Sequence, residues 1–327
     1  MKLNHFSKTV VGLVRPVNED SIGAQLNNIN EYKNIFIVCD GMGGHVGGAI
    51  ASQKAVASIL EYFKGNPDSI PQNALRESIE FANMQIYGEA QSNPENKGMG
   101  TTCTVLIENS GLIYIAHVGD SRIYINTDKK LYRITKDHSF VQKLVDQGEI
   151  TDAQMETHPR KNELTKALGI SAEIDVEVAA QPIISKKGDK FILCSDGLCG
   201  LINDRIISST INNIDLSLDV LANRLISLAE DAGGHDNISI AVIEVLESEH
   251  LKTKFENKNN ETFHITGTQE VVYPGPIQGP KIKDNRLLTL LIAGVFLIAV
   301  SIITYLLLFN SDTSEKPEDK IADTTTN

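Results

Sequence analysis

Apolar residues fall along this chain in short runs broken by glycine and acid, and one junction sets the pattern. Residues 35–39, Ile-Phe-Ile-Val-Cys, read as a buried strand. The run ends on Asp40 and breaks into Gly41, Gly43 and Gly44. Beyond it, Val46, Ala49/Ile50, Gln53, Val56, Leu60 and Phe63 recur every three or four residues, the spacing of an amphipathic helix. A strand, an acid, a glycine turn and a helix in succession present a carboxylate at a sheet edge with main chain crowded against it. Asp40 is placed to hold a cation or a water there, and Gly41 could lend its carbonyl oxygen. Alone, the stretch reads equally well as a glycine-rich joint, and no Gly-Lys-Ser/Thr follows to make it a nucleotide loop.

The same reading gives the other elements. A strand is predicted over 21–26, after the polar turn Arg15-Pro16-Val17-Asn18-Glu19-Asp20. Ala74, Leu75, Ile79, Ala82, Ile86 and Ala90 mark a second helix. Strands at 101–107 and 112–118 form a hairpin through Glu108-Asn109-Ser110-Gly111, and strands at 122–126 and 131–135 continue the meander. A short helix at 140–145 precedes a polar, irregular stretch, 147–164, read as a surface insertion. Strands follow at 173–178 and 190–194, helical runs at 204–211 and 216–232, and a last strand at 238–245. Residues 1–10 receive no element and lack the apolar core of a signal peptide. Short connections between successive strands imply antiparallel pairing, so the fold class is α+β rather than a doubly wound parallel sheet.

Patterning also divides the chain. Residues 1–246 form the folded unit, and 247–286, polar and ending in Pro-Gly turns, read as a linker. Residues 287–309 are an uncharged run that as a helix would span about 34 Å, enough for a bilayer. Residues 310–327 are a polar tail.

Composition narrows the chemistry. A net charge of −12 over 327 residues, with no basic stripe, argues against a nucleic-acid groove. The four cysteines show no metal-binding spacing and are expected to be reduced and mostly buried.

Acids sit where strands meet turns: Glu19 and Asp20 before 21–26, Asp40 after 35–39, Asp120 after 112–118, Asp196 after 190–194, and Asp236 before 238–245. One acid at a strand end is ordinary turn chemistry. A set of them on strands that can share a sheet edge would repel unless a cation lay between. Oxygen ligands without Cys or His suit Mg²⁺ or Mn²⁺, and the calcium-loop pattern is missing. A two-ion site, able to activate a water and clamp a phosphoryl group, is the sharper expectation.

An ordered set of motifs carries a resemblance. Arg15-x-x-Asn18-Glu19-Asp20, Asp40-Gly41-Met42-Gly43-Gly44-His45, Gly100-Thr101-Thr102 and His117-Val118-Gly119-Asp120-Ser121-Arg122 come first. Asp137-His138-Ser139, Leu164-Thr165-Lys166-Ala167-Leu168-Gly169, Ser195-Asp196-Gly197-Leu198 and Gly233-Gly234-His235-Asp236-Asn237 follow. Residues 5–245 thus resemble the metal-dependent protein serine/threonine phosphatases of the PP2C class, in bacterial-type form. The resemblance implies an αββα sandwich of two antiparallel sheets flanked by helices, to which the C-terminal run adds one transmembrane helix. It implies that Asp40 bridges two Mn²⁺ or Mg²⁺ ions, Asp196 and Asp236 hold the first, and Glu19 and the Gly41 carbonyl hold the second. Asp120 matches the acid of a weaker third ion. Asp20 joins the metal set by orienting a bound water, and Arg15 grips the substrate phosphate. Relatives in eukaryotes place a proton-donating His directly after Asp-Gly, where this chain has Met42. His45 is the candidate donor, with a structural part equally open. His117 reads as a core or pairing residue, His138 and His235 as braces of turns, Ser121-Arg122 as a pin of the hairpin, and Lys161-Asn162 as solvated.

The expected activity is hydrolysis of phosphoserine and phosphothreonine in proteins by water activated between two ions, without a phosphoenzyme, opposing a serine/threonine kinase. No Cys-x5-Arg loop supports a cysteine phosphatase. A catalytically weak binding module with this fold, or a phosphatase dedicated to one phosphorylated switch protein, are the alternatives. Expected partners are phosphoproteins, including a cognate kinase and its targets, and the membrane, but no nucleic acid. The expected location is the cell membrane, single-pass, with the catalytic part cytoplasmic.

Overall fold

A computed structural model describes residues 1–26, 34–43, 46–66 and 70–248. In chain order the strands are β1 (Lys2–Val10), β2 (Ser21–Gln25), β3 (Asn34–Cys39), β4 (Gly41–Met42), β5 (Gly100–Thr101), β6 (Cys103–Asn109), β7 (Leu112–Val118), β8 (Arg122–Thr127), β9 (Lys130–Arg133), β10 (Glu177–Val178), β11 (Lys190–Cys194) and β12 (Ile238–Glu247). The helices are α1 (Gly47–Gly65), α2 (Pro71–Ser92), α3 (Phe140–Asp146), α4 (Asp152–Met155), α5 (Asp196–Cys199), α6 (Asp204–Ile211) and α7 (Leu218–Asp231).

Two antiparallel five-stranded sheets stack, with orders β1-β12-β11-β8-β9 and β10-β7-β6-β3-β2. The two-residue period of the strands explains the layering. On β3, Phe36 and Val38 face the sheet of β11 and β12 and join one core with Leu106, Phe191, Leu193 and Ala241. Ile35, Ile37 and Cys39 face the other way, against Ala51, Ile59, Leu75 and Ile79 of α1 and α2. On the opposite sheet, Ile192, Cys194, Ile240 and Val242 pack under Leu198 of α5 and Leu221 and Leu225 of α7. Helices, sheet, sheet and helices follow as expected, and both faces of the central strands are apolar because both are covered. All four cysteines are buried and none is in a disulfide.

Several sequence readings need correction. Residues 2–10, assigned no element, form β1, which pairs with β12 from Lys2 to Val10. Its alternation is hidden because both faces are covered: Phe6 and Val10 meet one core and Leu3 the other, with polar residues between. The strand expected at 173–178 shrinks to Glu177–Val178. The turn expected after 190–194 is helical, since α5 begins on Asp196 itself. The insertion at 147–164 contains α4, and its base is tied down by Phe140 N–H to Glu163 O (2.8 Å) and Thr165 N–H to His138 O (2.8 Å). No helix among the described residues is long and apolar enough to cross a membrane. The linker at 247–286 lies almost wholly outside the described residues, and the run at 287–309 and tail at 310–327 entirely so.

Candidate active site

Both sheets deliver acids to one end of the sandwich. Glu19 and Asp20 come just before β2, and Asp40 lies between β3 and β4. Asp120 occupies the β7–β8 turn that crosses between the sheets, Asp196 begins α5 after β11, and Asp236 stands two residues before β12.

The turn that carries Asp40 is fixed by the Gly-Thr-Thr motif. Asp40 N–H donates to Thr102 Oγ1 (2.9 Å), while Thr102 N–H and Thr101 Oγ1 each donate to Asp40 O (2.8 Å both). The Ser121 and Thr102 hydroxyls lie 2.7 Å apart, so the Asp40 and Asp120 turns share one anchor. Gly41 is buried against the carbonyls of Gly48 and Glu19, where a Cβ would collide with both. Only glycine lets those three segments approach so closely.

Asn237 performs the same service on the other sheet. Its Oδ1 accepts from Glu19 N–H (2.8 Å), and its Nδ2 donates to Val11 O (2.9 Å) and Val17 O (3.0 Å). Asp20 is 6% exposed, and Ser195 and Ser239 donate to its Oδ2 at 2.8 and 2.7 Å. Asn18 Oδ1 accepts from Asp20 N–H (3.1 Å). Arg122 grips Asp137 with two nitrogens, Nε at 3.0 Å from Oδ1 and Nη2 at 2.7 Å from Oδ2. Although burial opposes it, the Arg122 charge holds the Asp137 carboxyl below its usual range.

The acids themselves are strained electrostatically. Burial, then the charges of Asp20 and Asp196, hold the Asp40 carboxyl well above its ordinary range. Burial and the Asp196 charge do the same for Asp120. Asp20 is pushed up to about 7 by burial, against the two serine hydroxyls, with Asp196 and Asp236 adding repulsion. Glu19 Oε1, Asp20 Oδ1 and Asp196 Oδ1 are buried without a hydrogen-bond partner. Buried carboxylate oxygens left without partners, in a mutually repelling oxygen-only set, fit divalent cations.

Arg15 reaches into this cluster from the β1–β2 loop. Its Nη2 lies 2.8 Å from Asp236 Oδ2 and its Nη1 3.9 Å from Glu19 Oε2, and its side chain is 45% exposed. The structure thus brings Arg15, Glu19, Asp20, Asp40, Asp196 and Asp236 together, with Asp120 beside Asp196. His45 lies outside the described residues. A cleft of about 190 Å³ opens next to Asp120 and Asp196 under the insertion, with Met155, Lys161 and Asn162 on its wall.

The histidines bind differently from the acids. Among the described residues, one triple brings its ligand atoms within 4.8 Å of one another: His117, His138 and Glu177. Gly119 N–H donates to His138 Nδ1 (3.2 Å), so the ring proton sits on Nε2, which faces Glu177 Oε2 at 3.0 Å. An Nε2 that carries a proton has no lone pair for a metal, and the two rings stack at 4.6 Å. In this triple a neutral His138 donates to Glu177 and stacks on His117, bracing the turn before Asp120. The acids are spaced more openly, as a site that also takes waters and a phosphate requires.

Sequence reasoning missed Thr9, Ser239 and the structural reach of Asn237. Ser239 Oγ lies 2.7 Å from both Asp20 Oδ2 and Thr9 Oγ1. A lone serine inside an apolar strand carries no signal of that contact.

Comparison with known proteins agrees with this geometry. The family model described as Protein phosphatase 2C matches residues 15–252. The serine/threonine protein phosphatase PstP of Mycobacterium tuberculosis (strain CDC 1551) is 33% identical over 254 residues, covering 77% of this chain and 47% of that protein. The chain therefore spans about half the length of that relative. The serine/threonine phosphatase Stp of Listeria welshimeri is 35% identical over 241 residues, 72% of this chain and 94% of that one. A crystal structure of the PstP catalytic domain with two manganese ions superposes with a TM-score of 0.65 at 32% identity, covering 75% of this chain and 99% of that one.

Proposed function

This chain belongs to the protein phosphatase 2C family, and from that membership we propose that it removes phosphate from phosphoserine and phosphothreonine in proteins, dependent on Mn²⁺ or Mg²⁺. The observation that carries the reading is the convergence of acids from both sheets, with buried oxygens lacking partners, beside the Arg15 guanidinium.

Asp40, Asp196 and Asp236 would hold one ion, with Asp40, Glu19 and the Gly41 carbonyl holding a second and Asp120 a weaker third. When bound, such ions lower the pKa of water and neutralise charge on a phosphoryl group. The chain's own residues do the rest. Arg15 offers a planar set of N–H donors that matches phosphate oxygens, and its exposed side keeps donors free of Asp236. Asp20, its Oδ2 fixed by Ser195 and Ser239, keeps a buried Oδ1 without a protein partner, which would accept a hydrogen bond from water in the site. Thr102 and Asn237 hold the Asp40 and Glu19 backbones against the repulsion among the acids. With Met42 directly after Gly41, His45 is the proposed proton donor to the serine or threonine leaving group.

We further propose that residues 287–309 cross a membrane once and that 247–286 tether the enzyme to its cytoplasmic face. Lys281, Lys283 and Arg286 precede the apolar run, while Lys316 and Lys320 lie beyond it among five acids, which favours the enzyme's side as cytoplasmic. Tethering raises the local concentration of membrane-bound phosphoproteins, a serine/threonine kinase and its targets among them.

The test is phosphate release from a phosphothreonine peptide by the full chain, with Mn²⁺ and with chelator. Turnover only with the metal is expected. Equal rates in both would remove the metal-dependent reading.

A further inference from the structure

The β1–β2 loop that carries Arg15 also carries an unusual load of exposed apolar surface. Of twelve large hydrophobic residues exposed among those described, four lie within residues 11–17: Val11, Leu13 (65%), Val14 (62%) and Val17 (46%). Single exposed apolar residues are ordinary, but a cluster on one loop marks an interaction site.

The loop is built rather than loose. Asn237 Nδ2 donates to Val11 O and Val17 O, closing the loop at its neck. Leu13 N–H donates to Gly234 O at 2.8 Å. Gly12, at φ +77°, presses on the Asp236 carbonyl, where no side chain would fit. The tip is thereby held against the turn that supplies Asp236, with Arg15 pointing into the site and its apolar neighbours pointing to solvent.

We infer that Leu13, Val14 and Val17 form a subsite for an apolar side chain flanking the phosphorylated residue of the substrate. This rests on the phosphatase reading above. An extended peptide advances about 3.4 Å per residue, so with its phosphate on Arg15 the backbone positions one or two residues away lie about 3–7 Å along the chain from the phosphorylated residue. Leu13, Val14 and Val17 stand one or two residues from Arg15 along the loop, which is the same reach. The one charge within residues 11–17, Arg15, already faces Glu19 and Asp236, so the tip offers a flanking residue apolar contact.

The full chain with Mn²⁺ is assayed on two phosphothreonine peptides, one with leucine and one with serine at the positions flanking the phosphothreonine, and on nitrophenyl phosphate. The leucine peptide should be favoured about tenfold in kcat/KM, mainly through KM, as apolar contacts of this size allow. In L13S/V14S the preference should fall to about twofold or less, and L13M/V14I should restore it. Equal use of the two peptides by the wild-type chain, or a preference intact in L13S/V14S, overturns the subsite while leaving the phosphatase reading in place. Loss of binding to anionic vesicles in L13S/V14S with the peptide preference intact also overturns it, and assigns the loop to a lipid surface. A wild-type chain inactive on all three substrates takes down both readings.

Discussion

Ser195 Oγ donates to Asp20 Oδ2 across 2.8 Å, tying the start of β2 to the end of β11 and so one sheet to the other at the acid cluster. Burial raises the pKa of this carboxyl and outweighs the serine bonds, which lower it, and the net rise makes stability depend on pH. Asp20 titrates near 7 in the folded chain against 3.8 ordinarily. Between those values the folded state keeps a proton that the unfolded chain has released. Stability of the chelated protein should therefore fall as pH rises from about 4 to 7, by at most about 4 kcal/mol for this group. Asp40 and Asp120, raised for the same reason, push in the same direction. Thermal unfolding in chelator across this range checks it: Asp20→Asn should flatten the decline, and Mn²⁺ should abolish it. A chelated protein that gains stability between pH 5 and 7 would contradict this.

Asn237→Ala should weaken both fold and site. It leaves the buried Glu19 N–H without its acceptor and opens the neck of the 11–17 loop. A loss of about 2 kcal/mol in stability is expected, with about tenfold weaker Mn²⁺ affinity. Denaturant unfolding and metal titration read the two effects, and a variant normal in both would show that the Asn237 contacts are dispensable.

His45→Ala distinguishes the proton donor. A serine alkoxide needs a proton on leaving, whereas nitrophenolate does not. General acid catalysis contributes roughly a hundredfold or more, so the variant should lose far more activity on phosphopeptide than on nitrophenyl phosphate. Matching losses on both would assign His45 a structural part.

The proposed anchor makes two linked predictions. A fragment ending at Ser248 should be soluble and fully active on peptide, since its sheets and site lie before that point. Protease added to intact cells should leave residues 1–286 uncut. Digestion of the catalytic part would reverse the topology.

Much of this was legible in the sequence, for identifiable reasons. Acids at strand ends show because a strand end is visible as the close of an apolar run, and Asp40, Asp120 and Asp196 all stand there. The central strands show because both faces are covered and the runs are continuous, as at 35–39 and 190–194. β1 was hidden by its mixed faces, and β4 and β5 are two residues each, too short for any periodicity. The braces were hidden for a different reason. Ser239 and Thr9 are 230 residues apart and meet only because β1 pairs with β12. Long-range pairing decides their role, and no local pattern encodes it.

The central claim is that these acids exist to hold two divalent cations. Calorimetric titration of Mn²⁺ into the chelated full chain, and into Asp40→Asn and Asp196→Asn, tests it most directly. The wild-type chain should bind at least two ions. Each variant should stay folded, bind fewer, and lose more than about a hundredfold in peptide turnover, because a metal ligand matters more than the outer contacts whose loss costs up to that much. Undiminished ion binding and turnover in either variant would contradict the account.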